Sequence, residues 1–205
     1  MMEILQAIEA SGFSMWVKES STAYVAVLAF HTIGLAFLVG ISGATAMRIL
    51  GVARSMPLEP MEDFFPLMYV GFWINAVTGM VLLSLYPTKF FVDATLYIKL
   101  GAVTIAVIII RKLQAHVFGG GANLDTATGS KKAKMLAGTL LAVWLIATTA
   151  GRLMAYTLPT KLQTAAAVLI VAVVVVLIGY FVGRGLGWIK SSEQGVQQPP
   201  SVYGK

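Results

Sequence analysis

Five long apolar runs, at about residues 23–50, 60–86, 93–112, 135–156 and 162–188, are broken only by short polar segments. A run of roughly 18 or more apolar residues is long enough to cross a hydrocarbon layer of about 30 Å as a helix. In that layer a chain must satisfy its own backbone polar groups, which a helix does within the segment. A water-soluble domain of 205 residues has no interior that could hide five such runs, and only 12% of the chain is charged, against about 25% in soluble domains. The expected fold is therefore all-α: an integral membrane helical bundle with five transmembrane helices, a four-helix core plus one, and an N-terminal interfacial helix.

The net charge of +6 does not point to nucleic acid, because the basic residues sit between apolar runs and form no stripe with base-stacking aromatics. With no cysteine, disulfides, thiolate metal sites and iron–sulfur ligation are excluded. Glu3 and Glu9 precede any lysine, unlike the basic start of a cleaved leader, so the N-terminus is expected to be retained. The expected partners are the lipid bilayer and a homo-oligomer or larger membrane complex.

Residues 4–17 are short for a span, and Ile4, Leu5, Ile8 and Trp16 can line one apolar face. That pattern predicts a single helix lying on the membrane surface. The expected division is 1–22 for this segment, 23–156 for a four-helix core, 157–188 for a fifth helix and 189–205 for a disordered tail. Ser20 to Thr22 offer N-caps for the first span. Pro60 with Glu62 and Asp63 predicts the first turn of the second. Asp93 caps a third helix that ends at Arg111-Lys112. The Gly/Ser/Thr-rich stretch from 113 to 134 predicts the longest, mobile loop, and Gly119-Gly120-Gly121 lacks the spacing of a phosphate-binding loop. Gly179, Gly183 and Gly187 give the fifth helix a small-residue packing face.

Lysine and arginine collect on the cytoplasmic side of membrane proteins. Arg48, Arg54, Arg111, Lys112, Lys131, Lys132, Lys134, Arg184, Lys190 and Lys205 fall on one side of the alternation. Lys18, Lys89, Arg152 and Lys161 fall on the other. The expected placement is the bacterial inner membrane, with the N-terminus periplasmic and the C-terminus cytoplasmic.

Ionisable residues inside spans are costly and mark function. His31, Lys99 and Arg152 qualify. Counted from Thr22, Asp93 and Tyr156 at about 1.5 Å per residue, they lie roughly 13, 9 and 6 Å below the outer surface. Asn75, Thr78 and Met80 run through similar depths. Beyond Glu62 and Asp63 in the first turn of the second span and Asp93 at the start of the third, no span holds an Asp or Glu, so neither cation has an intramembrane carboxylate. An anionic ligand with its charged end outward and an apolar body between the helices would offset that cost. A haem with two propionates has this form, with His31 as axial ligand, Lys99 and Arg152 facing the propionates, and Asn75, Thr78 and Tyr156 lining the pocket. Met80 is the methionine nearest in depth for a second axial position, since His116 falls on the cytoplasmic side. The competing readings are that Lys99 and Arg152 snorkel to the surface, and that His31 bonds Thr78 or a backbone carbonyl between helices. The same cluster could also line a pathway in a small-solute or metal permease, or belong to a non-catalytic membrane subunit.

Phe30-His31-Thr32-Ile33-Gly34, with Val39-Gly40 and the later Tyr97-Ile98-Lys99-Leu100, resembles the small four-helix membrane proteins that include HemJ-type protoporphyrinogen oxidases and copper-resistance protein D. The resemblance implies haem b and functional roles for His31 and Lys99. Ala36 to Gly40 and the fifth helix depart from that pattern, so protoporphyrinogen oxidation is not carried over. A family of uncharacterised bacterial membrane proteins is also similar, through Trp16 to Ser20, Leu50 to Ala53, Gly71-Phe72-Trp73 and Gly151 to Tyr156.

Overall fold

The computed structural model describes residues 1–52, 55–119 and 128–185. Among them every regular element is a helix, and five helices are long and apolar enough to cross a membrane. The chain divides into two units, Met1–Ala155 and Tyr156–Lys205.

The first unit opens with α1 (Met2–Glu9) and α2 (Gly12–Glu19), where the sequence predicted one surface helix. The break has a local cause. Ser11 is extended and its hydroxyl accepts from the Ser14 amide at 3.3 Å, so it starts a new helix instead of continuing the old one. Ser20 does the same for α3 (Ser21–Ile49), accepting from Ala23 N at 3.2 Å. At the other end of α3, Gly51 takes φ 98°. Its amide bonds Arg48 O and the Val52 amide bonds Met47 O, closing the last turn in the left-handed manner that glycine allows.

Glu59–Phe64 forms a 3-10 turn and α4 spans Phe65–Leu85. Pro60 thus sits in the approach to the helix. Pro66 occupies the first α-helical turn, where a missing N–H costs nothing. The short α5 (Pro87–Phe90) fills the expected turn. Asp93 caps α6 (Ala94–Val117) through Thr95 N at 3.0 Å. This helix overruns the predicted stop at Arg111-Lys112, because Leu113 and Val117 are buried and Gln114 accepts from Tyr69 Oη at 2.6 Å. His116, on the added turn, lies 3.0 Å from Ser130 Oγ. Ser130 caps α7 (Lys131–Leu153), which begins one turn earlier than predicted. Of the expected mobile loop, residues 120–127 lie outside the described residues.

Helices α3 and α4 form one antiparallel hairpin and α6 and α7 another, and α3 packs on α7. The apolar core fills the half of this bundle away from α1 and α2. Leu38, Ala46, Met68, Ala106, Leu140 and Trp144 are buried there. Trp144 Nε1 donates to Ser42 Oγ at 3.0 Å, and Ser42 in turn donates to Leu38 O at 2.6 Å. The Phe65 and Phe118 rings meet edge-on with centroids 5.2 Å apart. The void left among these side chains is about 10 Å³, the least that could hold one water.

The opposite end is capped by α1 and α2. Ser14 Oγ donates to Ser84 O at 2.9 Å and Val17 is buried, while Phe13 and Trp16 are exposed on the adjoining face of α2. Lys18 lies over the Tyr86 ring, 4.7 Å from its centroid, and pairs with Glu9 at 3.7 Å. Thr88 on α5 donates to the Glu9 carboxylate.

The second unit contains α8 (Leu158–Gly185), the most apolar helix, with mean hydropathy 3.0 over its most apolar window. Gly179 lies on it with open space where a Cβ would stand. Gly187, Trp188 and the tail 189–205 lie outside the described residues.

Candidate functional site

Two glycines determine how close α3 and α4 come. A Cβ on Gly34 would stand 2.7 Å from both Asn75 N and Gly71 O, and one on Gly71 would stand 2.7 Å from Phe37 Cβ and 2.9 Å from Gly34 O. Backbone therefore touches backbone, an approach that only glycine permits. Gly34, inside a long apolar run, is the kind of small residue that permits close approach. That Gly71 is its partner appears only once the facing helix is known.

One turn toward the capped end, that proximity brings His31 on α3 against α4. Asn75 is buried, and its Nδ2 donates to His31 O at 2.8 Å. The ring nitrogen Nδ1 of His31 lies 3.1 Å from Asn75 O and 3.0 Å from Thr78 Oγ1. Thr78 spends its own proton on Ile74 O at 2.6 Å, so toward His31 its hydroxyl accepts. Two acceptors at Nδ1 put the proton there and leave Nε2 with its lone pair. Asn75 Nδ2 is nearly equidistant from the two ring nitrogens, at 3.3 and 3.4 Å. An atom so placed, without colliding with the carbon between them, lies over the face of the ring. The in-plane direction of Nε2 stays clear of it.

Lys99 reaches the same region from the second hairpin. Its stem lies along Gly151 on α7, where a Cβ would stand 3.5 Å from Cδ and Cε and 3.7 Å from Nζ. The lysine is half-buried and its charge acts on the His31 ring. It has no hydrogen-bond or ion-pair partner among the described residues. No fully buried side-chain nitrogen or oxygen there lacks a partner either, so the ammonium tip is accessible although its stem is covered. Lys99 is thus near enough for its charge to reach the His31 ring, with no hydrogen bond between the two.

The other candidates stand apart. Arg152 follows Gly151 directly but its side chain is exposed. Met80 is 61% exposed. It sits two residues beyond Thr78, about 200° around the helix, and so faces away from His31. Tyr156 is exposed and begins the second unit. No group of three or more metal-ligating side chains occurs among the described residues. The apolar core stops short of the site, and neither its small void nor the open concavity of about 380 Å³ beside α1 and α5 is lined by His31 or Lys99.

No family model, no curated protein and no solved structure matches the chain.

Proposed function

We propose that the chain is a multi-pass membrane protein that binds haem b in the capped half of its four-helix bundle and serves a redox reaction. One observation carries this reading. His31 is anchored through Nδ1 to a carbonyl and a hydroxyl, which leaves the lone pair of Nε2 unused, and the Lys99 ammonium, without a partner among the described residues, is near enough for its charge to reach the ring. An axial histidine is usually held in this way, its second nitrogen bonded to a carbonyl that sets the tautomer and the ring orientation. Lys99 supplies the charge that a carboxylate of the ligand requires, and Arg152 stands nearer the surface for a second one. The donor set fits a group held from one side. Met80 faces away from His31, so His31 is the side chain that would hold the haem iron. A haem iron, once held, supplies one-electron chemistry.

The protein side of the site is a matter of orientation and exclusion. Asn75 and Thr78 fix the ring, the Gly34–Gly71 contact fixes the distance between its helices, and the packed far half closes the bundle beneath it. That packing speaks against a continuous pathway, which a permease requires. By the distribution of lysine and arginine, the capped end faces the periplasm of a bacterial inner membrane, and Phe13 and Trp16 rest in the lipid interface.

The test is an absorption spectrum of the protein purified in mild detergent. A Soret band that is lost in His31→Ala is the expected result. Absence of the band in the wild type, or a band indifferent to that substitution, would overturn the reading.

A further inference from the structure

The His31 ring is held by more than its hydrogen bonds. A Cβ built on Gly79 would stand 3.2 Å from His31 Cε1 and 3.6 Å from Nδ1, and would meet nothing else within 4 Å. The first distance is tighter than nearly all real contacts of that kind. A side chain at position 79 would therefore require the ring edge to give way by a few tenths of an ångström. Cε1 is the carbon between the two ring nitrogens, so pressure on it turns both. Gly43 and Gly151 also meet side chains, but only at ordinary contact distances of 3.5 Å or more. Gly34 and Gly71 meet backbone, whereas Gly101 and Gly138 have open space around them.

We propose that Gly79 is a positioning residue: the notch it leaves in α4 seats the Cε1 edge of His31 and so fixes the direction in which Nε2 points. What Nε2 then binds rests on the haem reading, but the seat itself does not. Thr78 and Asn75 hold Nδ1 by hydrogen bonds, and Gly79 settles the remaining freedom of the ring by shape. In Gly79→Ala the new methyl group has one neighbour to displace, the imidazole, and displacement lengthens the bonds from Nδ1 to Thr78 and Asn75. Apart from this contact the substitution favours the helix, since alanine is the better helix former.

The experiment uses the full chain in lipid nanodiscs with isotope-labelled histidine, read by nitrogen and carbon NMR. His116→Gln removes the one other histidine signal. The wild-type His31 is expected as the Nδ1–H tautomer. Gly79→Ala shifts its ring signals, as does Thr78→Val, which removes one acceptor. Gly101→Ala, the same chemical change on α6 with no ring beside it, leaves them in place. A His31 spectrum unchanged by Gly79→Ala overturns the proposal. Thermal unfolding gives an independent arm should Gly79→Ala fold poorly. Its loss in Tm disappears, or turns into a gain, in the His31→Ala background if the clash is with the ring, and persists unchanged if Gly79 serves helix packing instead. Where haem is present, the Soret position and midpoint potential shift with the ring. A wild type without a Soret band defeats the haem reading and leaves the NMR comparison to decide the role of Gly79.

Discussion

Replacing Gly71 by alanine tests the helix contact on which the site depends. The added carbon would sit 2.7 Å from Phe37 Cβ and 2.9 Å from Gly34 O, where nonbonded carbons prefer about 3.5–4.0 Å. Phe37 Cβ and the carbonyl belong to the rigid frame of α3 and cannot rotate away. The two helices must therefore separate locally by about 1 Å. One turn on, the bond from Asn75 Nδ2 to His31 O, now 2.8 Å, would lengthen to about 3.8 Å, beyond hydrogen-bonding range. Overpacking of this kind costs about 1–3 kcal/mol and a lost hydrogen bond roughly 0.5–1.5 kcal/mol. Alanine returns about 1 kcal/mol in helix propensity. The net expectation is a destabilisation of about 0.5–3.5 kcal/mol. Gly34→Ala, which presses on Asn75 N and Gly71 O, should behave alike. One separation relieves both clashes, so the double variant should lose less than the two single losses added together. Unfolding in mixed micelles with increasing SDS, followed by tryptophan fluorescence, measures all three. Single variants as stable as the wild type, or losses that add within about 0.5 kcal/mol, would refute the backbone-contact account.

Lys99→Met keeps the stem that lies along Gly151 and removes the unpaired ammonium. A lysine at a helix centre costs about 2.5–3.5 kcal/mol on insertion scales, less toward the interface, so the ligand-free protein should gain about 1–2 kcal/mol in the same SDS titration while any bound haem is released more readily; a loss of stability would show that Lys99 has a structural partner. On the surface, the Glu9 carboxyl is held below its ordinary value, first by the hydrogen bond from Thr88 and then by the charge of Lys18. A carboxyl with a depressed folded pKa adds stability above its unfolded pKa and loses it as pH falls through the folded value. The Tm difference between wild type and Glu9→Gln should therefore be constant near neutrality and vanish on acidification below the ordinary value of 4.5; a difference that persists in acid would remove Glu9 from the docking of α1.

Much of this fold is legible in the sequence because single segments decide it. The spans follow from apolar length, and the starts of α3 and α6 follow from Ser20 and Asp93, whose side chains act on their own helices. Boundaries set by a partner element are not legible. α6 continues past Arg111-Lys112 because Leu113, Gln114 and Val117 find neighbours on other helices. The surface segment breaks at Ser11, where a cap outweighs an apolar periodicity that runs on through the break. At the site, matched depth grouped His31 with Lys99 without giving their orientation. Depth says nothing about azimuth, and so Met80 was grouped with residues that it faces away from. Gly71 and Gly79 act through the absence of a side chain, which leaves no signal until the group occupying the space is seen.

The pairing of helices also has a consequence for assembly. Among the described residues, every hydrogen bond of the His31 ring lies within the α3–α4 hairpin, and the Lys99 stem lies along Gly151 within α6–α7. Each half of the site can therefore form as its own hairpin is completed, through contacts that are local in the chain. Only the docking of the two hairpins, sealed far from the site by Trp144 on Ser42 and Tyr69 on Gln114, brings the imidazole and the ammonium together. Under the proposed haem binding, affinity for the haem would then report whether the last step of folding has taken place.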